Sequence, residues 1–340
     1  MSSAGWSATT RVLFVVVILV WGLNYIFVNL GLELAGPLWL ATLRAVLGLV
    51  GSALIVSTRG GWGQLDGRGR RDAFLIGLPN ITAFFGLWFE AARSVLPGVA
   101  AVLIYTYPLW VAVFSAPLLA HRLTARHWGS ILVGFSGVAL ISQIGSVSES
   151  HLPLAPVLEL LAAAVAWATA TVAIQRRFRR EEMLEANAFQ LMGGVVGLLA
   201  FTLILTPTPP DLLQPALWGT VVWLGLLGTA IAYSVWFDLL GRTRAATLSA
   251  YLFVVPVVAL IASAVIFSER LSALQLVGVG FVLASIYGIA SAPEARAPVR
   301  PAGTDKNEGY SAGEGRRHSP VSRKAAGGPG APQGPGTGPN

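Results

Sequence analysis

The chain repeats itself at a fixed distance, and this repeat limits the folds open to it. Residues 108–124, Pro-Leu-Trp-Val-Ala-Val-Phe-Ser-Ala-Pro-Leu-Leu-Ala-His-Arg-Leu-Thr, reappear in altered form at 256–272, an offset of 148 residues (256 − 108). The same offset superposes Trp88-Phe89-Glu90 on Trp236-Phe237-Asp238. Because one register holds over two separate segments, the sequence predicts a duplicated unit.

The composition indicates that both units lie in a membrane. Charged residues make up 11% of the chain and hydrophobic residues 54%, whereas a soluble domain carries about 25% charged residues. Continuous apolar runs of roughly 18–24 residues are long enough to cross a bilayer core as helices, and they lack the alternation of barrel strands. We therefore predict an all-α integral membrane protein with ten transmembrane helices, at residues 12–32, 36–57, 74–93, 96–118, 128–145, 154–175, 186–206, 216–240, 246–267 and 273–291.

Arginines distinguish the two sides of this membrane protein. Loops on the side of the termini are rich in arginine, as at 68–71 and 176–180, whereas loops on the other side carry only Arg93 and Arg270. By the positive-inside rule, the N- and C-termini are predicted to be cytoplasmic. The predicted segments are a cytoplasmic N-terminus at 1–11, a first repeat of helices 1–5 at 12–145, a second of helices 6–10 at 154–291, and a disordered cytoplasmic tail at 292–340, which is rich in Pro, Gly, Ser and Ala.

An odd number of helices per copy gives the duplication a mechanical meaning. Five helices in each repeat turn the second copy upside down relative to the first. Two inverted copies related by a pseudo-two-fold axis in the membrane plane have the geometry of alternating access. A duplicated scaffold without transport is the alternative.

Several motifs of the chain resemble the EamA domain of the drug/metabolite transporter superfamily. They are Trp21-Gly-Leu-Asn24-Tyr25, Pro37…Arg44, Pro108…Arg122-Leu-Thr, Gly228-Thr229-Ala-Ile-Ala-Tyr233 and Pro256…Glu269-Arg270-Leu. The resemblance covers roughly residues 12–291 and implies a ten-helix secondary transporter of the bacterial inner membrane. It also implies efflux of a small organic metabolite, either amino-acid-like or drug-like.

One residue departs from the pattern of this family. The family places Glu before Arg-Leu at the end of the fourth helix, where this chain has His121, while the second copy keeps Glu269. If that acid gates transport, His121 makes the gate asymmetric and sensitive to pH near neutrality. The alternative is a histidine at a loop edge with no special role.

Charged residues within the spans are the next candidates, because charge inside a bilayer usually marks function. Arg44 lies deep in the second span, where it either binds a substrate carboxylate or locks helices together. Glu159 lies about one turn inside the sixth span and is either a proton carrier or an interfacial residue. The repeat-equivalent Glu90 and Asp238 are predicted as gate or helix-end residues that pair with Arg93 and Arg242.

The predicted binding surface itself is polar and aromatic. Such rings stack against an apolar or aromatic solute, and uncharged polar groups supply hydrogen bonds; each ring taken alone fits equally well between helices. The cavity candidates are Trp21, Asn24, Tyr25, Asn80, Trp88, Tyr105, Trp167, Thr229, Tyr233, Trp236 and Tyr251. Pro108 and Pro256, at equivalent positions of the two repeats, are predicted to kink their helices.

Other functions have weaker support in the sequence. A sugar-nucleotide or phosphate-ester exchanger needs concentrated cations, and the interior offers only Arg44. A membrane-embedded enzyme needs catalytic residues at membrane depth, but the four histidines lie at loops, helix edges or the tail; a channel is a further alternative. The expected partners are a small-molecule substrate and the lipid bilayer, with no nucleic acid, metal or other cofactor; proton coupling and oligomeric state stay open, and a monomer is compatible with the sequence.

Overall fold

The computed structural model describes residues 8–95, 97–119, 124–142, 154–266 and 273–290. These residues belong to one compact unit, Met1–Ala297. His121 and Glu269 lie outside the described residues, as does the predicted tail.

Helices make up all the regular secondary structure in the described part of the chain. Short π-helical segments, Leu78–Ala83 and Trp223–Ile231, join α3 to α4 and α10 to α11, and 3₁₀ turns lie at Arg180–Glu182 and Tyr251–Phe253. The α-helices are α1 (Ala8–Leu32), α2 (Pro37–Thr58), α3 (Gly67–Gly77), α4 (Phe84–Ala91), α5 (Pro97–Ile104), α6 (Tyr107–Leu118), α7 (Ala125–Ser142), α8 (Leu154–Arg177), α9 (Met183–Leu205), α10 (Pro215–Val222), α11 (Ala232–Leu240), α12 (Ala245–Ala250), α13 (Val254–Ile266) and α14 (Ala273–Ala290).

Seven helical stretches of the described residues are long and apolar enough to cross a membrane. Two shorter apolar helices, Tyr107–Leu118 and Leu276–Ser285, add to them. The prediction of a helical, multi-pass membrane protein is thereby confirmed, while the count of ten spans stays a prediction. The seven stretches are Ala8–Leu32, Pro37–Thr58, Gly67–Ala91, Leu154–Arg177, Arg180–Leu205, Pro215–Leu240 and Ala245–Ile266.

Local sequence signals set both ends of α2 and the start of α3. Pro37 begins α2, where its missing N–H costs no intrahelical bond. After α2, Gly60 and Gly63 take positive φ angles of 62° and 87°, a region that glycine enters without a steric penalty. Asp66 then caps α3, because its side chain accepts a hydrogen bond from the Gly69 N–H at 2.6 Å.

The two π-helical segments occupy corresponding places in the internal repeat. Leu78–Ala83 shifted by 148 residues falls on 226–231, inside Trp223–Ile231. In the second segment, the Thr229 hydroxyl donates to the Leu224 carbonyl oxygen, five residues earlier, at 2.9 Å. π-Helical turns interrupt the regular backbone ladder and are frequent at functional sites, and the sequence analysis did not predict them.

Pro108 and Pro256 were predicted to kink their helices. In the structure each helix is interrupted about one turn before the proline and not at the proline itself. Pro108 is the second residue of α6, which follows a turn at Tyr105 and Thr106. Pro256 is the third residue of α13, which follows the 3₁₀ turn Tyr251–Phe253. Proline displaces the carbonyl four residues before it, so the break forms on the N-terminal side of each ring.

Glycines let α9 approach α3 and the first π-helical segment closely. Gly77 packs on the backbone of Gln190, and Gly193 packs on the backbone of Phe74. The next residue, Gly194, contacts the side chain of Ile81. Backbone contact of this kind is the usual form of close helix packing in membranes, and it holds the first π-helical segment against α9.

Candidate solute-binding site

Trp21, in the middle of α1, organises a cluster of buried aromatic rings. The Trp21 indole N–H donates to the Gly228 carbonyl oxygen at 3.0 Å, which ties α1 to the second π-helical segment. Its ring centroid lies 5.6 Å from that of Trp167, 5.8 Å from that of Tyr233 and 5.6 Å from that of Trp236. The hydrogen bond and the edge contacts fix the orientation of the ring.

Trp167 of α8 joins this cluster to a second group of rings. It stacks on Tyr107 with centroids 3.9 Å apart and on Phe84 with centroids 5.1 Å apart. Tyr25, one turn after Trp21, lies 4.9 Å from Trp88 between centroids. Rings from α1, α4, α6 and α8 thus form one continuous aromatic wall.

Several of these rings line a small cavity whose lining side chains are all buried. The space open to the centre of a water-sized sphere is about 20 Å³, which is room for about one water molecule. Its walls come from helices of both sequence repeats. The lining residues are Trp21, Asn24, Tyr25, Arg44, Phe84, Trp88, Tyr105, Trp167 and Tyr233.

Arg44 supplies the charge of this cavity. Its side chain is 1% exposed, and its Nε–H donates to the Thr229 hydroxyl at 3.0 Å. The guanidinium carbon lies 4.1 Å from the centroid of Phe85 and 5.2 Å from that of Trp88, distances at which ring faces attract a cation. No carboxylate among the described residues forms an ion pair with Arg44.

Three residues of the cavity carry buried polar atoms without a hydrogen-bond partner in the described structure. They are Arg44 Nη1, Trp88 Nε1 and Asn24 Oδ1. Each of the three side chains is at most 3% exposed. Because buried polar atoms are nearly always paired in proteins, three unpaired atoms in one cavity indicate a place for a ligand.

The structure brings seven of the predicted cavity residues together around this space. The other four do not line it and make other contacts. Thr229 holds Arg44, and Trp236 packs behind Trp21. Tyr251 contacts Phe14, with centroids 6.3 Å apart. The seven that line the cavity are Trp21, Asn24, Tyr25, Trp88, Tyr105, Trp167 and Tyr233.

Asn80 belongs to a buried polar chain that is distinct from the cavity lining. Its amide N–H donates to the Gln190 side-chain oxygen, and Gln190 donates to the Asn187 side-chain oxygen at 3.0 Å. Asn187 in turn donates to the Ser52 hydroxyl at 3.0 Å. This chain connects the first π-helical segment, α9 and α2.

The predicted acidic residues in the described ranges have ordinary partners or peripheral positions. Glu90 pairs with Arg93 at 2.9 Å, and Asp238 pairs with Arg242 at 2.7 Å, the partners that the sequence analysis named. Glu159 lies half-buried near the start of α8. No group of three or more His, Cys, Asp or Glu side chains in the described ranges could hold a metal ion.

Phe84 and Tyr107 contribute rings that the sequence analysis did not select. Phe84 lies four residues before Trp88, so both rings share one helix face, a spacing that could have identified it. Tyr107 stacks under Trp167 and shares a hydrogen bond with the Thr171 hydroxyl at 3.2 Å. Its neighbour in the sequence is Pro108, and no local pattern sets it apart from other aromatic residues.

Ion pairs connect the start of α3 to α8 and α9. Glu185, fully buried, accepts from the Leu65 backbone N–H at 2.8 Å and from Arg70 Nε at 3.1 Å. Asp72 pairs with Arg177 at 2.7 Å. These contacts join helices from the two sequence repeats at one end of the cavity-forming bundle.

Comparison with known proteins places the chain in a family. The EamA-like transporter family matches residues 9–143 and again residues 154–291. A solved crystal structure with 21% sequence identity superposes with a TM-score of 0.68, over 84% of this chain and 97% of the other, and shares the fold.

Individual relatives carry transporter names. An uncharacterized transporter of Bacillus subtilis (strain 168) is 26% identical over 285 residues, covering 82% of this chain and 90% of the relative. An uncharacterized transporter of Synechocystis sp. is 30% identical over 241 residues, 67% of this chain and 71% of the relative. A protein of Salmonella typhimurium named a probable amino-acid metabolite efflux pump is 24% identical over 287 residues, 81% of this chain and 92% of the relative.

The double family match agrees with the apolar helices and with the motifs around Trp21 and Thr229. It covers both halves of the described bundle, including every residue that lines the aromatic cavity. The chain is therefore a multi-pass membrane protein that belongs to the EamA-like transporter family.

Proposed function

We propose that the protein is a secondary transporter that exports a small organic metabolite, amino-acid-like or drug-like, across the bacterial inner membrane by alternating access. The observation that carries the proposal is the buried aromatic cavity, whose walls come from both family-matched segments. A solute bound there lies between two halves of the molecule. Relative movement of the halves would expose it to one side or the other.

The proposed architecture is ten transmembrane helices in two inverted five-helix repeats, at 12–145 and 154–291, with both termini cytoplasmic. The π-helical segments at equivalent positions of the repeat support it, as do the interruptions before Pro108 and Pro256. Interrupted helices bend more readily than continuous ones, because their backbone ladder is already broken. They are the positions at which we expect the bundle to change shape.

The size of the cavity requires such a change. Space for about one water molecule excludes an amino-acid-sized solute from the present arrangement. A solute therefore enters only when helices around the cavity move apart. We assign the described arrangement to an occluded state of the transport cycle.

A phosphate-ester exchanger fits this cavity less well. Phosphate sites gather several cationic groups, and Arg44 is the single cationic side chain in the lining. A single positive charge among aromatic rings favours a solute that carries fewer negative charges than a phosphate ester.

Counterflow in proteoliposomes tests the proposed function. Purified protein is reconstituted into vesicles loaded with unlabelled amino acids, and entry of each labelled amino acid is measured. A carrier gives a saturable rate that the same solute on the other side accelerates, whereas a channel gives a flux linear in concentration. If no amino acid or aromatic metabolite shows saturable counterflow, the proposed function is wrong.

Paired tryptophan substitutions locate the site within that assay. Trp167→Ala removes the ring that bridges the two aromatic groups, so we expect the counterflow rate to fall by about tenfold or more, as for loss of a buried anchor. Trp218→Ala removes a ring that is 40% exposed on α10 and should leave the rate unchanged. Equal losses in both variants would show that the aromatic cavity is not the transport site.

A further inference from the structure

We infer that the cavity binds its solute by a carboxylate group, which Arg44 and Trp88 hold together, with Asn24 binding a polar group beside it. The inference rests on the proposed transport function and names the substrate class of the same site. It predicts a monocarboxylate with an aromatic or apolar body.

The first step is the charge of Arg44. Its guanidinium is almost fully buried and has no acid partner among the described residues. A buried charge is unfavourable unless it is paired, and the faces of Phe85 and Trp88 offset only part of its lost hydration. An anionic ligand supplies the missing charge.

The second step is that Arg44 has one guanidinium nitrogen available to bind a ligand. Thr229 engages Nε, which leaves Nη1 without a partner. The Trp88 indole N–H is a second unpaired donor on the same cavity. A carboxylate has two oxygens that accept hydrogen bonds from separate donors, so it satisfies both groups at once.

The third step is Asn24, the one amide among the lining residues. Its side-chain oxygen is buried and unpaired. An amide offers both an acceptor and donors, so it can bind an ammonium or hydroxyl group on the carbon next to a carboxylate. Asn24 therefore suits an amino acid or a hydroxy acid.

The fourth step concerns the remainder of the solute. The other lining groups are aromatic: Trp21, Tyr25, Phe84, Tyr105, Trp167 and Tyr233. Large rings contribute apolar contact area and bind planar or apolar groups by stacking. With one cation and a ring-lined wall, the cavity favours a single negative charge on an apolar body over a polyanion.

Matched acids and amides test the inference directly. Binding of 3-phenylpropionate and of 3-phenylpropionamide to purified protein is measured by isothermal calorimetry, together with L-phenylalanine and L-phenylalaninamide. We expect each acid to bind at least about tenfold more tightly than its amide, the scale of one charge-assisted interaction. Arg44→Gln should abolish this preference, and Trp88→Phe should reduce it about threefold to tenfold by removing one donor.

The control variant is Arg59→Gln, which removes an exposed arginine from the end of the same helix. It should leave the preference for the acid unchanged. Thermal unfolding of each variant identifies any that fails to fold. If Arg44→Gln fails to fold, the acid preference of Trp88→Phe tests the inference instead.

Two results would overturn the inference. Amides that bind as tightly as their acids, or acids that do not bind at all, contradict a carboxylate site. A preference for the acid that survives in folded Arg44→Gln, or that is undiminished in Trp88→Phe where that variant decides, contradicts the assigned donors. In each case saturable counterflow of other solutes would still support the proposed transport function, so failures of the two proposals are distinguishable.

Discussion

At the scale of single residues, two buried asparagines with similar exposure have different surroundings. Asn24 is 1% exposed and Asn80 is 2% exposed. Asn24 lies against the aromatic cavity, while Asn80 donates into the polar chain of Gln190 and Asn187. The same side chain thus serves a cavity in one place and helix packing in the other.

This difference predicts separable effects of substitution. Asn80→Ala leaves the Gln190 side-chain oxygen without a donor. It should lower the free energy of unfolding by about 1–2 kcal/mol and leave the binding of L-phenylalanine unchanged. Asn24→Ala should weaken binding of L-phenylalanine by roughly tenfold while leaving the melting temperature nearly the same. Thermal unfolding and calorimetry on both variants measure the two quantities.

A common loss of binding in both asparagine variants would contradict this assignment. It would mean that the polar chain through Gln190 also positions the cavity. In that case Gln190→Ala should reproduce the binding defect.

At the scale of elements, the contact between α3 and α9 depends on the absence of a side chain. A Cβ added at Gly193 would lie 2.8 Å from the Phe74 carbonyl carbon. Because the position of a Cβ is fixed by its own backbone and the Phe74 carbonyl is itself backbone, neither group can turn aside without moving a helix. The first π-helical segment lies directly beyond this contact and carries Asn80.

Gly193→Ala should therefore destabilise the protein by about 1–3 kcal/mol, the cost of overpacking a tight contact. Gly219→Ala is the matched control on α10, where no atom lies within 4 Å of an added Cβ. That control should stabilise by roughly 0.5–1 kcal/mol, because alanine favours a helix over glycine. Melting temperatures that move in the same direction for both variants would contradict the packing argument.

The secondary-structure elements differ in how well the sequence predicted them. The apolar runs predicted helices at α1, α2, α8 and α9 because hydrophobicity and length are local properties. The π-helical segments at residues 78–83 and 223–231 were not foreseen, because the change from α-helical to π-helical hydrogen bonding leaves no periodic signal in an apolar span. Pro108 and Pro256 signalled an interruption, but the backbone breaks a turn before each ring.

At the scale of the whole molecule, the proposed inversion of the repeats can be measured directly. The chain contains no cysteine, so a single introduced cysteine gives an unambiguous label. Ser94 and Arg242 are exposed and are separated by the repeat offset (242 − 94 = 148). Gln64 is exposed in the loop between α2 and α3 and is predicted to lie on the same side as Arg242.

A membrane-impermeant maleimide should label Ser94→Cys in intact cells and Arg242→Cys only in inverted vesicles. Gln64→Cys should behave like Arg242→Cys. This pattern follows from an odd number of spans per repeat and from cytoplasmic termini. Labelling of Ser94→Cys and Arg242→Cys from the same side would show that the repeats are not inverted.

The candidate site was only partly predictable from the sequence. Trp21, Asn24 and Tyr25 form a compact group in one span, and Trp88 and Tyr233 fall in recurring motifs, so the sequence pointed to them. Phe84 was missed, although its spacing of four residues from Trp88 places both rings on one helix face. The role of Arg44 stayed open, since its partners lie on other helices.

The sequence by itself determined a helical membrane protein, its duplication and its family, because hydropathy, periodicity and repeat register are properties of the chain read in order. The tertiary structure decided which polar atoms remain unpaired. Thr229, 185 residues from Arg44, takes one donor of that guanidinium, and Gln190, 110 residues from Asn80, takes the amide of that side chain. Hydrogen-bond partners lie far away in the sequence, so only the folded molecule shows that the unpaired atoms of Asn24, Arg44 and Trp88 share one cavity.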